Sequence, residues 1–312
     1  MSGTEATPWF VQEFTDLPDK SVSIDPPQTG NMRPRFTISG YRRLEPGHEI
    51  ATGLDYLIRI DCTNSSVHPG AMVWNQEDKR GYFTHALKVS ISLPESDGYV
   101  NSWSFPGTTR EGGSTTTSES TTEQGGFFGL TGTASYSGSI SASSSQTFPD
   151  FEIYNNDGIV KSNVAEQVYR LRLANGARYV RPTDMIDDSI YRRRVRDLCP
   201  AAVSKFDVIS SALFKKSNAS KGPAITQVSI DFTYTVMYIE KSWVTLFWTL
   251  KEAHHRFVLP DQSSDADAQT TLQTTGEGMG AGYIVVDSIP VTVTGSWKID
   301  VDMDNGKADL HG

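Results

Sequence analysis

The chain of 312 residues contains only two cysteines and no long hydrophobic run. Cys62 and Cys199 could form a disulfide or remain as two buried thiols, and one pair does not decide between these states. Because a transmembrane helix needs about 20 mostly apolar residues, the sequence predicts none. The first residues carry neither the basic start nor the apolar stretch of a signal peptide, so we expect a removed leader or an unconventional export route.

The motifs of the common catalytic and metal-binding sites are also missing. The chain contains no Gly-x-Ser-x-Gly, His-Glu-x-x-His or phosphate-loop pattern, and His254 and His255 have no partners at ligand spacing. We therefore expect no enzyme activity, no cofactor and no metal. The 28 basic and 37 acidic residues give a net charge of -9, which argues against nucleic acid as a partner.

Short segments of alternating apolar and polar residues make up much of the chain. Residues 35–41, 55–61 and 86–93 are rich in β-branched or aromatic residues, and turn-forming residues bound them. Further segments of this kind lie at 151–154, 164–172 (where a short helix also fits), 228–238, 243–250, 283–287, 291–294 and 297–301. This pattern predicts an all-β protein built on a β-sandwich, with an N-terminal arm at 1–34 and the sandwich at 35–105 and 150–312.

The intervening segment, 106–149, has the composition of a flexible linker but not its order. From Phe128 to Ala142 every even position is apolar or glycine, whereas the odd positions from Gly129 to Ser143 carry hydroxyls after the first glycine. A strand with one apolar and one polar face sorts its residues in this way, and a linker does not. The apolar face contains Phe128, Leu130, Ala134, Tyr136 and Ile140, and the polar face contains Thr131, Thr133, Ser135, Ser137 and Ser139.

The residues before this strand predict a partner strand. Gln124-Gly125-Gly126 offers a turn, and Glu111, Glu119 and Glu123 occupy odd positions, so the three acids lie on one face of the strand. Acids that merely keep a loop in solution are the alternative. Each strand is long enough to cross a membrane, which takes roughly 9–11 residues. Because one hairpin cannot close a barrel, the pattern favours a hairpin from each of several identical chains over a Ser/Thr-rich spacer.

The segments around the hairpin follow a characteristic order. Residues 87–94 and 101–106 precede it, the glycine-rich residues 125–129 lie in its middle, and residues 135–137 and 149–151 close it. Residues 203–209, 228–234 and 297–300 come later in the chain. In this order the segments resemble the stem and the sandwich strands of the leukocidin/hemolysin family of β-barrel pore-forming toxins.

The resemblance implies a secreted, soluble monomer that binds the lipid bilayer of a target cell. A ring-shaped homo-oligomer, a heptamer or octamer, would then insert a shared barrel and kill by ion leak, without catalysis. Residues 106–149 would be the stem, and the sandwich would be a cap with a membrane-facing rim. The alternative is a lectin-like β-sandwich binding module whose Ser/Thr-rich run is only a spacer.

Three sets of candidate site residues follow. The lumen candidates are Glu111, Glu119, Glu123, Thr131, Thr133, Ser135, Ser137 and Ser139, and rings of carboxylates there would attract cations. The lipid-facing candidates are Phe128, Leu130, Ala134, Tyr136 and Ile140. The candidates for contact with a lipid or receptor headgroup at the rim are Arg178, Tyr179, Arg181, Tyr191 and Arg192, although the basic run at 192–196 could also be a solvated face.

Overall fold

A computed structural model describes residues 4–24, 28–44, 54–70, 80–104, 107–111, 114–128, 134–149, 151–155, 162–171, 186–187, 194–195, 204–217, 223–244 and 283–311. In these ranges the only helical element is a 3-10 turn at Glu95–Asp97, so the predicted all-β class is confirmed. The strands are β1 (Thr4–Glu5), β2 (Phe10–Phe14), β3 (Lys20–Ile24), β4 (Gln28–Arg33), β5 (Phe36–Leu44), β6 (Leu54–Asp61), β7 (Ser66–His68), β8 (Arg80–Ser92), β9 (Val100–Ser104), β10 (Gly107–Glu111), β11 (Ser114–Phe128), β12 (Ala134–Pro149), β13 (Phe151–Asn155), β14 (Val164–Leu171), β15 (Ile186–Asp187), β16 (Arg194–Val195), β17 (Phe206–Asp207), β18 (Ser211–Lys216), β19 (Ile225–Val244), β20 (Tyr283–Asp302) and β21 (Lys307–Leu310).

Two large sheets form the body of the protein. The nine-stranded sheet has the order β1-β12-β11-β5-β6-β18-β9, with β10 paired to β11 and β2 paired to β5. The six-stranded sheet has the order β13-β14-β8-β19-β20-β21. A four-stranded sheet, β17-β7-β4-β3, and the pair β15-β16 complete the described strands.

The core lies between the two large sheets. Phe36 of β5 packs against Phe232 of β19 and Trp297 of β20, with ring centroids 5.8 and 5.3 Å away. Ile58 of β6 and Ile91 of β8 are also fully buried in this core. Alternate residues of strands from both sheets thus meet in one apolar layer, which confirms the predicted β-sandwich.

Several strands are longer than the sequence predicts. The segments 283–287, 291–294 and 297–301 merge into β20, which pairs with β19 along all 20 of its residues. Pro290 does not interrupt this strand because β21 pairs with β20 only from Ile299 to Asp302, so no ladder bond is required on that side of Pro290. The segment 164–172 is a strand, β14, and not a helix.

The N-terminal arm, which shows no strong period in the sequence, contains four strands, β1 to β4. Cys62, just after β6, is a fully buried free thiol, and burial raises its pKa well above the usual value, with a smaller contribution from Asp61. Cys199 lies outside the described residues.

Candidate functional site: a hairpin docked on the sandwich

The segment 107–149 forms regular β-structure. Strands β11 and β12 pair antiparallel from Ser114 opposite Pro149 to Phe128 opposite Ala134, and these two strands are called the stem hairpin below. Strand β10 pairs with the base of β11, from Gly107 opposite Ser118 to Glu111 opposite Ser114.

The predicted turn at Gln124-Gly125-Gly126 is wrong. Strand β11 continues through both glycines to Phe128, and the chain reverses between Phe128 and Ala134. Residues 128–142 are therefore not one strand, because Phe128 belongs to β11. A glycine pair also tolerates irregular extended backbone, and the register of the hairpin shifts between Gly125 and Phe127.

This shift divides the stem hairpin into two registers. In the body, Glu123 lies opposite Ile140, and residues directly opposite one another share a face of the sheet. Odd positions of β11 therefore share a face with even positions of β12 as far as Gly125. At the tip, Phe127 of β11 lies opposite Ser135 of β12, so odd positions of β11 share a face with odd positions of β12 there.

One stem residue is buried against the sandwich. Ile140 of β12 is only 1% exposed, although its sequence position predicts a lipid-facing role. It belongs to a second apolar cluster, here called the docking cluster. The docking cluster consists of Ala6, Tyr41, Leu57, Ile140 and Leu213. Since Tyr41, Leu57 and Leu213 belong to β5, β6 and β18, this cluster joins β12 to the sandwich strands of the same nine-stranded sheet.

Two short backbone pairings also attach the stem hairpin. Strand β1 pairs in parallel with β12, with Thr4 opposite Gly138 and Glu5 opposite Ser139. Strand β11 pairs with β5 at the tip, from Gly126 opposite Leu44 to Phe128 opposite Arg42. The hairpin is thus attached on one side by the N-terminal arm and on the other by a strand of the sandwich.

A buried charge cluster adjoins the docking cluster along β5, β6 and β18. The Arg43 Nη2 atom lies 2.9 Å from Asp55 Oδ2, and the Lys215 Nζ atom lies 3.3 Å from the same oxygen. The side chains of Arg43 and Asp55 are 8% and 2% exposed, so their pairing satisfies charges that would be costly alone.

Arg42 connects the N-terminal arm to the C-terminal turn. Its guanidinium lies 4.2 Å from the Trp9 ring centroid, its Nε donates to the Met303 carbonyl at 3.1 Å, and Nη2 donates to the Asp304 carbonyl at 2.9 Å. The Tyr56 hydroxyl donates to Asp304 Oδ1 at 2.7 Å. Burial, and then this hydrogen bond, raise the pKa of Tyr56 to about 12.

The structure describes only part of the predicted site. The backbones of Glu111, Glu119, Glu123, Ser135, Ser137 and Ser139 lie in strands β10 to β12. Leu130, Thr131 and Thr133 at the tip lie outside the described residues, as do Arg178, Tyr179, Arg181, Tyr191 and Arg192 of the rim.

Sequence reasoning missed the sandwich side of the docking cluster. Tyr41 and Leu57 occupy the face of β5 and β6 that carries Arg43 and Asp55, which alternation assigns to solvent. The large apolar residues on that face, among charged ones, were the sequence feature that could have predicted a further strand packed over it. The sequence could not indicate that β12 provides the cover.

Among the described residues, no helix combines the length and the apolar character needed to cross a membrane. In the same part of the chain, no three or more His, Cys, Asp or Glu side chains come together in a way that could hold a metal ion.

At the level of sequence, no protein-family model and no curated protein matches this chain. Several solved structures, in contrast, match its fold. A structure described as a pore forming protein aligns with a TM-score of 0.52 and 9% identity, over 95% of this chain and 100% of its own. This chain has the fold of that pore-forming protein.

Two toxins of Clostridium perfringens give lower scores. The NetB toxin in its membrane-inserted form aligns with a TM-score of 0.48 and 10% identity, over 96% of this chain and 100% of its own. The delta-toxin aligns with a TM-score of 0.47 and 9% identity, over 97% of this chain and 94% of its own.

Proposed function

We propose that this chain is a secreted pore-forming cytolysin. Soluble monomers bind a target membrane, assemble into a ring and release their stem hairpins, which form one β-barrel across the bilayer. The pore kills by ion leak, without a catalytic step. The barrel must be shared because only a closed barrel satisfies the edge hydrogen bonds of every strand in lipid.

The carrying observation is that β12, a strand whose sequence alternates apolar and polar residues, is joined to the sandwich by a buried side chain, while short backbone pairings hold the hairpin. Ile140 joins the docking cluster, and the pairings to β1 and β5 span two and three residue pairs. A hairpin attached in this way can leave the sandwich without unfolding the core between the two large sheets. A spacer has no need of an apolar residue buried on the sandwich.

In the proposed pore, the odd-numbered acids and hydroxyls line the lumen, and Phe128, Leu130, Ala134, Tyr136 and Ile140 face lipid. The lumen is then uncharged apart from carboxylates, which attract cations and repel anions. Recognition of the membrane falls to the rim, where Tyr179, Tyr191 and neighbouring arginines contact lipid or receptor headgroups.

Release of a trapped dye from liposomes, together with oligomers that survive gel electrophoresis, tests this function. Tyr136→Asp places a charge on the lipid face, so we expect normal surface binding and loss of dye release. Ser137→Asp, the matched control, places the same charge in the lumen and retains release. Liposome binding by the wild-type chain without release or oligomers would instead support a binding module.

A further inference from the structure

The stem hairpin contains a β-bulge close to its tip. Between the pairs Gly125–Gly138 and Phe127–Ser135, strand β11 has one residue, Gly126, whereas β12 has two, Tyr136 and Ser137. Two residues opposite one is the definition of a bulge, and it changes the register by one residue. The body and the tip of the hairpin are therefore one residue out of register with each other.

The body register is unsuited to a membrane. It places Glu123 opposite Ile140 and Thr121 opposite Ala142, so an acidic residue shares a face with the apolar residues of β12. A barrel strand cannot present that face to lipid without presenting a carboxylate, and it cannot turn the face inward without losing its apolar contact with lipid. No rotation of the hairpin as a rigid unit solves this conflict.

The tip register solves it. If the pairing of Phe128 with Ala134 continues along the hairpin without the bulge, Glu123 comes opposite Ser139, and Thr122 comes opposite Ile140. Even positions of both strands then share one face, and odd positions share the other. The acids of β11 then share a face with serines of β12, and Ile140 shares the other face with uncharged residues of β11.

We propose that the stem hairpin is docked one residue out of register, and that it inserts only when the bulge moves from the tip to the base. This inference rests on the proposed function. As the bulge moves, β12 slides by one residue along β11, and the register set at the tip extends through the whole hairpin.

The docked state holds the bulge in place from both sides. Strand β1 pairs with Gly138 and Ser139 just beyond the bulge on β12, and β5 pairs with Gly126 to Phe128 across from it. Ile140, next to these pairs, is buried in the docking cluster. Arg43 and Lys215, both paired with Asp55, lie two residues from members of that cluster on β5 and β18. Undocking removes all these restraints together.

Cross-strand disulfides test the register directly, because residues directly opposite one another lie within disulfide distance. All variants carry Cys199→Ser, and the native Cys62 is fully buried. Thr121→Cys with Ala142→Cys fits the docked register, and Thr121→Cys with Ser141→Cys fits the shifted one. Phe128→Cys with Ala134→Cys is the matched control, since these residues are opposite in both registers.

We expect the 121–142 disulfide to form in the dissolved monomer, to abolish dye release from liposomes, and to restore release on reduction. The 121–141 disulfide forms in membrane oligomers but not in the monomer, and the 128–134 disulfide forms in both states. Equal release by the oxidised and reduced 121–142 variant would overturn the shift alone. A wild-type chain that releases no dye would overturn the proposed function, and the inference would fall with it.

Discussion

Ile140 of β12 and Leu57 of β6 lie in one buried apolar cluster, although the first belongs to the stem hairpin and the second to the sandwich. Both side chains are at most 1% exposed. The shared cluster therefore joins the hairpin to the sandwich through buried side chains.

Ile140→Ala should loosen the hairpin. Truncation of a buried isoleucine costs about 2–5 kcal/mol, and here the loss falls on the docked state of the hairpin. We expect faster proteolytic cleavage within residues 107–149 of the monomer. Val11→Ala truncates an apolar residue that is 50% exposed and is the control. Equal cleavage rates for the two variants would show that Ile140 does not hold the hairpin.

Asp55→Ala should destabilise the whole sandwich. It removes the carboxylate that lies 2.9 Å from the guanidinium of Arg43, whose side chain is 8% exposed. Removing one member of a buried ion pair costs about 3–5 kcal/mol. Chemical denaturation measures the loss. Asp309→Ala removes an exposed pair with Lys307, with side chains 69% and 59% exposed, and should change stability by less than about 1 kcal/mol. Equal losses of stability in the two variants would mean that the burial of the Arg43–Asp55 pair does not determine its contribution to stability.

Much of the fold follows from alternation in the sequence. Segments such as 35–41 and 55–61 alternate apolar and polar residues in the sequence, and this period predicts β5 and β6 directly. The strands of the N-terminal arm are harder to predict from the sequence, because β1 has only two residues and β3 ends next to prolines. The period also predicts β12 as a strand with one apolar and one polar face, and at the tip, where Phe128 lies opposite Ala134, the even positions of both strands share a face.

The register of the hairpin could not be predicted from the sequence. A hairpin register depends on the turn and on bulges, and one bulge exchanges the faces of every residue beyond it. Glycines at 125 and 126 fit a turn and an irregular strand equally well. The buried position of Ile140 depends on Tyr41, Leu57 and Leu213, which are distant in the chain, so local pattern gives no indication of it.

The carboxylate of Asp302 should make the free energy of unfolding depend on pH in the acidic range. The side-chain amide of Asn305 donates to Asp302 Oδ2 at 2.7 Å, and this bond, with those from the backbone N–H groups of Asn305 and Asp304, lowers the pKa of Asp302. Because the pKa of Asp302 is lower in the folded state than in the unfolded chain, the ionised carboxylate stabilises the folded state above about pH 4, the ordinary pKa range of an aspartate. This contribution to the free energy of unfolding is lost as the pH falls through the lowered pKa.

Asp302→Asn should therefore lower the free energy of unfolding by about 1–3 kcal/mol at pH 7, and the difference from wild type should shrink toward pH 2. Urea titrations at several pH values measure both quantities. Asp309→Asn removes an exposed carboxylate on β21 and is the control. A difference that is constant from pH 7 to pH 2 would show that the charge of Asp302 is not what orders this turn.

Glu119→Lys with Glu123→Lys should shift the ion selectivity of the pore toward anions. Each ring of carboxylates becomes a ring of ammonium groups, which reverses the sign of the potential in the lumen. The reversal potential of planar bilayers in a salt gradient measures the change. Glu13→Lys with Asp16→Lys alters the same total charge at exposed positions of the arm and should leave selectivity unchanged. An unchanged reversal potential in the stem variant would place both acids outside the lumen.

In the proposed pore, β12 crosses the membrane with alternate residues facing lipid. An environment-sensitive dye tests this on cysteines introduced one at a time at Ser139, Ile140, Ser141 and Ala142, in a Cys199→Ser background that keeps the fully buried Cys62. On liposomes, we expect an apolar shift of the emission at 140 and 142 and an aqueous emission at 139 and 141. Aqueous emission at all four positions on liposomes that bind the protein would contradict the claim.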